Sequence, residues 1–179
     1  MGAVILPRVP VGRPLLFASL LLLAACRRPD PAKELAFSDL EAYWVVDNPV
    51  GQTQYLAPAV RLVIRNQAES PQRTLEATAV FRRVGEEDKT WGSDWRRIAP
   101  SGKPLLPGHD TLVVLKSDAR YTSTGAPAGM FENPEFKDAL VEVYVRLGSS
   151  PWYKVRQLPV ERRIGARGTT VVTTAPEAR

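Results

Sequence analysis

A hydrophobic period of two runs through this chain from Phe37 onward, and a chain written in that period folds as half-buried strands rather than helices. Val60, Leu62 and Ile64 alternate with Arg61, Val63 and Arg65. Leu75, Ala77, Ala79 and Phe81 alternate with Glu76, Thr78, Val80 and Arg82, and the pattern returns over Thr111 to Leu115 and over Val141, Val143, Val145 and Leu147. Further strands are expected near Tyr43 to Asp47, Trp91 to Ile98 and Trp152 to Leu158, about seven in all. Turn residues punctuate them: Asn48-Pro49 with Gly51, Glu69 to Pro71, Gly85, Ser101-Gly102, Pro107-Gly108 and Gly148 to Pro151.

Short strands with turn signals every ten residues or so predict an all-β antiparallel sandwich. One short helix is expected over Asn133 to Leu140, where Pro134 stands early and Glu135 follows. No Cys…Trp…Cys spacing is present, so the sandwich is not of the antibody type. Cys26 is the single cysteine, so no disulfide can form within the chain and the core alone must hold the fold.

The first 25 residues read differently. Met1 to Pro14 carries Arg8 and Arg13 and no acid; Leu15 to Ala25 is then an unbroken run without charge. That run has the length of a signal-peptide core and falls well short of the roughly 20 residues needed to span a bilayer. It ends in Leu23-Ala24-Ala25-Cys26, which resembles the lipobox of bacterial lipoprotein precursors. The resemblance implies that the leader is removed before Cys26, that the thiol receives a diacylglycerol and that the new amino group is acylated. An ordinary secretory signal ending at a cysteine is the alternative. Two or more acyl chains anchor stably where one binds only reversibly.

The organisation expected is therefore a leader over 1–25, a polar tether over 26–36, an immunoglobulin-like sandwich over 37–163, and a tail or edge strand over 164–179. Arg27 follows the cysteine, where lipoproteins retained at the inner membrane carry aspartate; by that resemblance the periplasmic face of an outer membrane is expected. The whole chain carries a formal charge of +5, and nucleic acid is a poor partner for an exported protein. Leu62 to Asn66, Ala77 to Phe81 and Leu106-Pro107-Gly108-His109-Asp110 resemble the immunoglobulin-like modules of bacterial surface proteins of the FxLYD and CARDB kind. That resemblance implies a binding or spacer module and supplies no active-site residues.

The inventory argues against an enzyme. With one histidine and one cysteine, Cys-His catalysis and clustered histidine metal sites are excluded. His109 reads as a turn residue, and Glu86-Glu87-Asp88 as solvated charge at a hairpin end, with calcium binding the alternative. No catalytic residue, metal ligand or cofactor is assigned, and a hydrolase with an acidic pair ranks last. Four residues are candidates for binding. In a regular strand Trp91 and Trp95 share a face, which fits a sugar platform unless Gly92 breaks it or the rings serve the core. Met130 and Phe131 lie in the long connection Ser117 to Phe136, where they either close one end of the sandwich or dock a partner. Arginine pairs at 27–28, 82–83, 96–97 and 162–163 read as outward strand charge, or as a surface for anionic lipid headgroups or an acidic partner. The function expected is a lipid-anchored, non-enzymatic interaction module of the cell envelope with a protein partner; a glycan or small-ligand binder is the runner-up.

Overall fold

The computed structural model describes residues 28–50, 53–123 and 125–165, so the leader, Cys26 and the tail from residue 166 lie outside the described residues. Two antiparallel four-stranded sheets form the expected all-β sandwich. The first contains β1 (Leu35–Val50), β2 (Thr53–Asn66) and β5 (Asp110–Lys116) in that order, with the short β6 (Tyr121–Ser123) also paired to β2. The second runs β4 (Gly92–Ala99), β3 (Leu75–Arg83), β7 (Ala139–Leu147), β8 (Tyr153–Pro159).

The alternation read from the sequence is the alternation of burial. Leu62 and Ile64 on β2, Ala77, Ala79 and Phe81 on β3, and Val141, Val143 and Val145 on β7 are fully buried between the sheets. Each large aliphatic or aromatic side chain so placed contributes about 1.5–3 kcal/mol over exposure. A register slip of one residue would turn this entire set to water, so the pairing is strongly specified.

Where an element departs from the sequence expectation, the reason is local. β2 begins before Pro58, which has no N–H to donate. The proline is tolerated because it falls where β2 changes neighbours: Ala59 still pairs with Lys116 of β5, and Leu56 already pairs with Tyr121 of β6. β6 is the strand that brings the number to eight. No helix forms over Asn133 to Leu140. Asn133 Oδ1 instead accepts the Glu135 N–H at 2.9 Å, a local turn that competes with a helix, and Ala139 and Leu140 already belong to β7. The helical turn lies one step earlier, a 3₁₀ helix at Pro127–Glu132.

The two ends of the domain boundary also shift. Residues of the expected tether are folded: α1 (Pro31–Glu34) is capped by Asp30, whose carboxylate accepts the Ala32 N–H at 3.1 Å. Pro31 is buried, Leu35 enters the core, and Glu34 accepts from the Gln67 N–H and the Gln72 side chain. At the other end, residues 160–165 leave β8 and cross to the first sheet. Val160 is buried, Glu161 N–H donates to Ala42 O, and Ile164 forms a parallel bridge to Trp44. The crossing strap closes one side of the sandwich. On the other side Asp94 accepts from the Lys116 N–H and Asp118 from the Ser93 N–H, joining β4 to the end of β5.

Candidate functional site

The end of the sandwich opposite α1 is built on aromatic rings. Trp44, fully buried on β1, meets Phe136 at 4.9 Å between ring centroids, Tyr121 at 5.9 Å, and Trp91 and Phe131 each at 6.2 Å. The geometries are tilted or edge-on, which suits the quadrupoles of neighbouring rings. Trp44 Nε1 is buried without a hydrogen-bond partner.

This cluster decides where three of the four candidate residues go. Trp91 and Phe131 pack against the core from its rim, and Met130 is buried beside them. Trp91 and Trp95 are not on one face. β4 starts only at Gly92, and Trp91 turns inward to Trp44 and Tyr121 while Trp95 projects from the outer surface of the second sheet, 49% exposed. Gly92 makes this possible by close approach rather than by a bulge. A Cβ there would stand 2.1 Å from Ser117 Oγ and 2.8 Å from Ala119 Cβ.

In front of the rings lies an open pocket of about 500 Å³. Tyr121, Met130 and Phe136 supply its apolar and aromatic lining, with Arg120, Asn133 and Glu135 as polar groups. It falls within the size range of small-ligand or side-chain pockets. Its wall is fastened from two sides. Tyr121 Oη donates to Lys137 O and accepts from the Lys137 N–H. Arg162, on the crossing strap, holds Asp138 in a bidentate pair at 2.7 and 2.9 Å, donates to Phe131 O at 3.0 Å and lies over the Phe136 ring. Among the described residues the lining carries one carboxylate, Glu135, and neither histidine nor cysteine.

Trp95 belongs to a second arrangement, on the outer face of the β4-β3-β7-β8 sheet. Glu76, with a side chain only 3% exposed, is held between Arg97 at 3.2 Å and Arg146. Arg97 lies over the Trp95 ring and Arg146 over the Trp152 ring. Beside it, Glu142 accepts from Lys154 and Tyr144 and pairs with Arg82. The Lys154 bond lowers the Glu142 pKa and raises that of Lys154, while burial raises that of Tyr144. Both acids lie beneath their cations.

The arginine pairs of the described strands are not patches. Arg82 pairs with Glu142 and Arg83 with Glu86; Arg96 pairs with Asp94 and Arg97 with Glu76; Arg162 pairs with Asp138 and Arg163 with Glu41. In the acidic run, Glu86 bridges Arg83 and Lys137, and the Lys137 bond holds its pKa down. Glu87 accepts the Gly85 N–H at 2.8 Å. Among the described residues no group of three or more metal-ligating side chains converges. His109 lies half-buried in the turn before β5, its carbonyl accepting the Asn66 N–H. Compared with protein-family models and with curated proteins, the chain matches none.

Proposed function

We propose that this chain is a lipid-anchored, non-enzymatic interaction module of the cell envelope, and that the pocket beside Met130 and Phe136 receives an apolar side chain of a protein partner. The observation that carries the reading is the pocket itself. It opens at the end of the sandwich away from α1, its wall is preorganised by Arg162 and Tyr121, and its lining offers shape and aromatic surface without a catalytic set. The anchor rests on Leu23-Ala24-Ala25-Cys26 at the close of the leader-like segment. The extracytoplasmic location, on the periplasmic face of an outer membrane, follows from the same four residues and from Arg27.

The test is a photoreactive residue placed at Ala126, on the pocket rim, in intact cells. A discrete protein adduct is expected, absent when the probe stands at Ser101 on the other end. Gly129→Trp should abolish it, because nothing lies within 4 Å of a Cβ at Gly129 and the indole would fill the pocket. No adduct at Ala126, or one that survives Gly129→Trp, would overturn the pocket reading.

One observation favours a second reading, glycan binding. Trp95 is an exposed indole in line across the sheet with Thr78 and Tyr144, so a small residue separates two aromatic ones. Trp95→Ala with unchanged retention on purified cell-wall glycans would dismiss it.

A further inference from the structure

The folded N-terminal segment fixes how this domain faces its membrane. If Cys26 is acylated, as the proposed function holds, four residue steps separate it from Asp30. Fully extended these reach at most about 14 Å. Beyond Asp30 there is no slack: α1 is capped, Glu34 is bonded to Gln67 and Gln72, and Leu35 is in the core. The end of the sandwich that carries α1 must then lie against the lipid surface.

That end has the composition of a surface-seeking face. Leu106, 44% exposed, and Trp152, 39% exposed, project from the two loops that precede β5 and β8. Arg146 lies over the Trp152 ring, and the segments of the same end carry Arg28, Lys33, Arg73 and Lys103, all exposed; Arg73 and Lys103 have no ion-pair partner among the described residues. The acids of the same segments are Asp30, paired with Lys33, Glu34, which accepts from the neutral Gln72 amide, and Glu69, so four cations stand against three acids. The loops at the opposite end carry Glu86, Glu87, Asp88, Asp118, Glu132, Glu135 and Asp138 against Lys89, Arg120 and Lys137. The charge is thus unequal along the long axis: the far loops are acidic, while the α1 end has a small excess of cations beside its exposed Leu106 and Trp152. Indole and leucine at headgroup depth, with lysine and arginine at the same end, match an anionic bilayer surface.

We infer that the α1 end docks on anionic phospholipid headgroups, with Leu106 and Trp152 entering the interface and Arg73 and Lys103 contacting phosphates. The lipid anchor and this patch are two signals acting together. Docking also points the Met130 pocket away from the membrane.

The test uses the full chain purified from bacterial membranes in detergent and reconstituted into phosphatidylglycerol-rich vesicles carrying a headgroup-proximal spin-labelled lipid. Quenching of tryptophan fluorescence is expected, abolished by Trp152→Phe and retained in Trp95→Phe. Each neutralised cation should weaken docking about fivefold, so Arg73→Gln with Lys103→Gln should reduce the quenching and remove its salt dependence. The mass of the same sample reports the anchor separately. An acylated protein with no quenching at Trp152 overturns the docked orientation and leaves the anchor standing. A protein with a bare Cys26 that still gives Trp152 quenching upholds the surface and overturns the anchor; one with neither overturns both.

Discussion

Gly92→Ala should be among the most damaging single-methyl additions to this protein. The new Cβ would lie 2.1 Å from Ser117 Oγ, 2.8 Å from Ala119 Cβ and 2.9 Å from Asp118 Oδ1, against ordinary contacts of 3.4–4 Å. The corner at 117–119 would have to retreat by more than an ångström. It cannot do so alone: Ser117 is buried and holds the Ala119 N–H, Asp118 accepts from Ser93 at 2.8 Å, and Asp94 accepts from Lys116 at 3.0 Å. Overpacking costs about 1–3 kcal/mol, and each of the inter-sheet hydrogen bonds lost adds about 1 kcal/mol. A total near 3 kcal/mol corresponds to roughly 10 °C in Tm for a domain of this size. Thermal unfolding by circular dichroism and urea titration would measure it. Gly102→Ala is the control, since nothing lies within 4 Å of its Cβ and its φ is not positive; it should stay within about 0.5 kcal/mol. A Gly92→Ala protein melting within about 2 °C of the parent would refute the close-approach argument.

Three further outcomes are expected. Phe136→Ala, which removes ring contacts to Trp44, Tyr121 and Phe131, should cost about 3 kcal/mol, and Phe131→Ser, at a partly buried position, less; urea midpoints would give the order. Arg162→Ala should free the 127–138 segment while leaving the strands protected, seen as faster amide exchange confined to that stretch, because the guanidinium is what ties Asp138, Phe131 O and the Phe136 ring together. The third concerns pH. Glu142 has its pKa lowered by the Lys154 bond, so its contribution is present above the ordinary value of 4.5 and is lost as pH falls through the folded value; Lys154, raised by the same bond, contributes below 10.5 and loses that contribution as pH rises through its folded value. Glu142→Gln should therefore shrink the loss of stability on acidification below pH 4.5 and on raising the pH above 10.5.

The core was legible because β burial has a period that side-chain chemistry writes directly: β7 alternates without a break over nine residues, and the sequence over Ala139 to Leu147 says so. What stayed hidden depended on partners distant in sequence. Nothing local reveals that Glu76 is almost fully buried, since its neighbours Arg97 and Arg146 stand 21 and 70 residues away. The shared face of Trp91 and Trp95 followed from strand geometry and failed because the strand begins between them, at a glycine whose role is set by Ser117, just past the end of β5. The length of their connection singled out Met130 and Phe131 as candidates, but not the meeting of Phe131 and Trp91 on Trp44. The signal that could have found it is the clustering of Tyr121, Phe131 and Phe136 in one connection, since rings so concentrated in a loop must meet something apolar.

The two ends of the sandwich are built by different means, and the difference bears on which end can do work. At the α1 end the chain is sewn by backbone and amide bonds around Asn66, fully buried, whose side chain donates to Ser70 O and Leu105 O at 2.9 Å and accepts from the Ala68 N–H. Removing that hub would strand several buried carbonyls at once, so this end is rigid and suits a fixed seat. The pocket end is held by ring packing, by Arg162 on the strap and by the bonds of residues 137–138 to Tyr121, Glu86 and Val84, whereas the backbone N–H groups of Gly129, Asn133 and Phe136 bond only within their own loop. Such segments open at lower free energy than strands, and a pocket wall that yields locally can admit a side chain without loosening the sheets. Rigidity at the α1 end and compliance at the far end is the distribution that the proposed role, a tethered receptor for a protein partner, would use. If exchange protection proved equal at both ends in the absence of partner, that division of labour would fail.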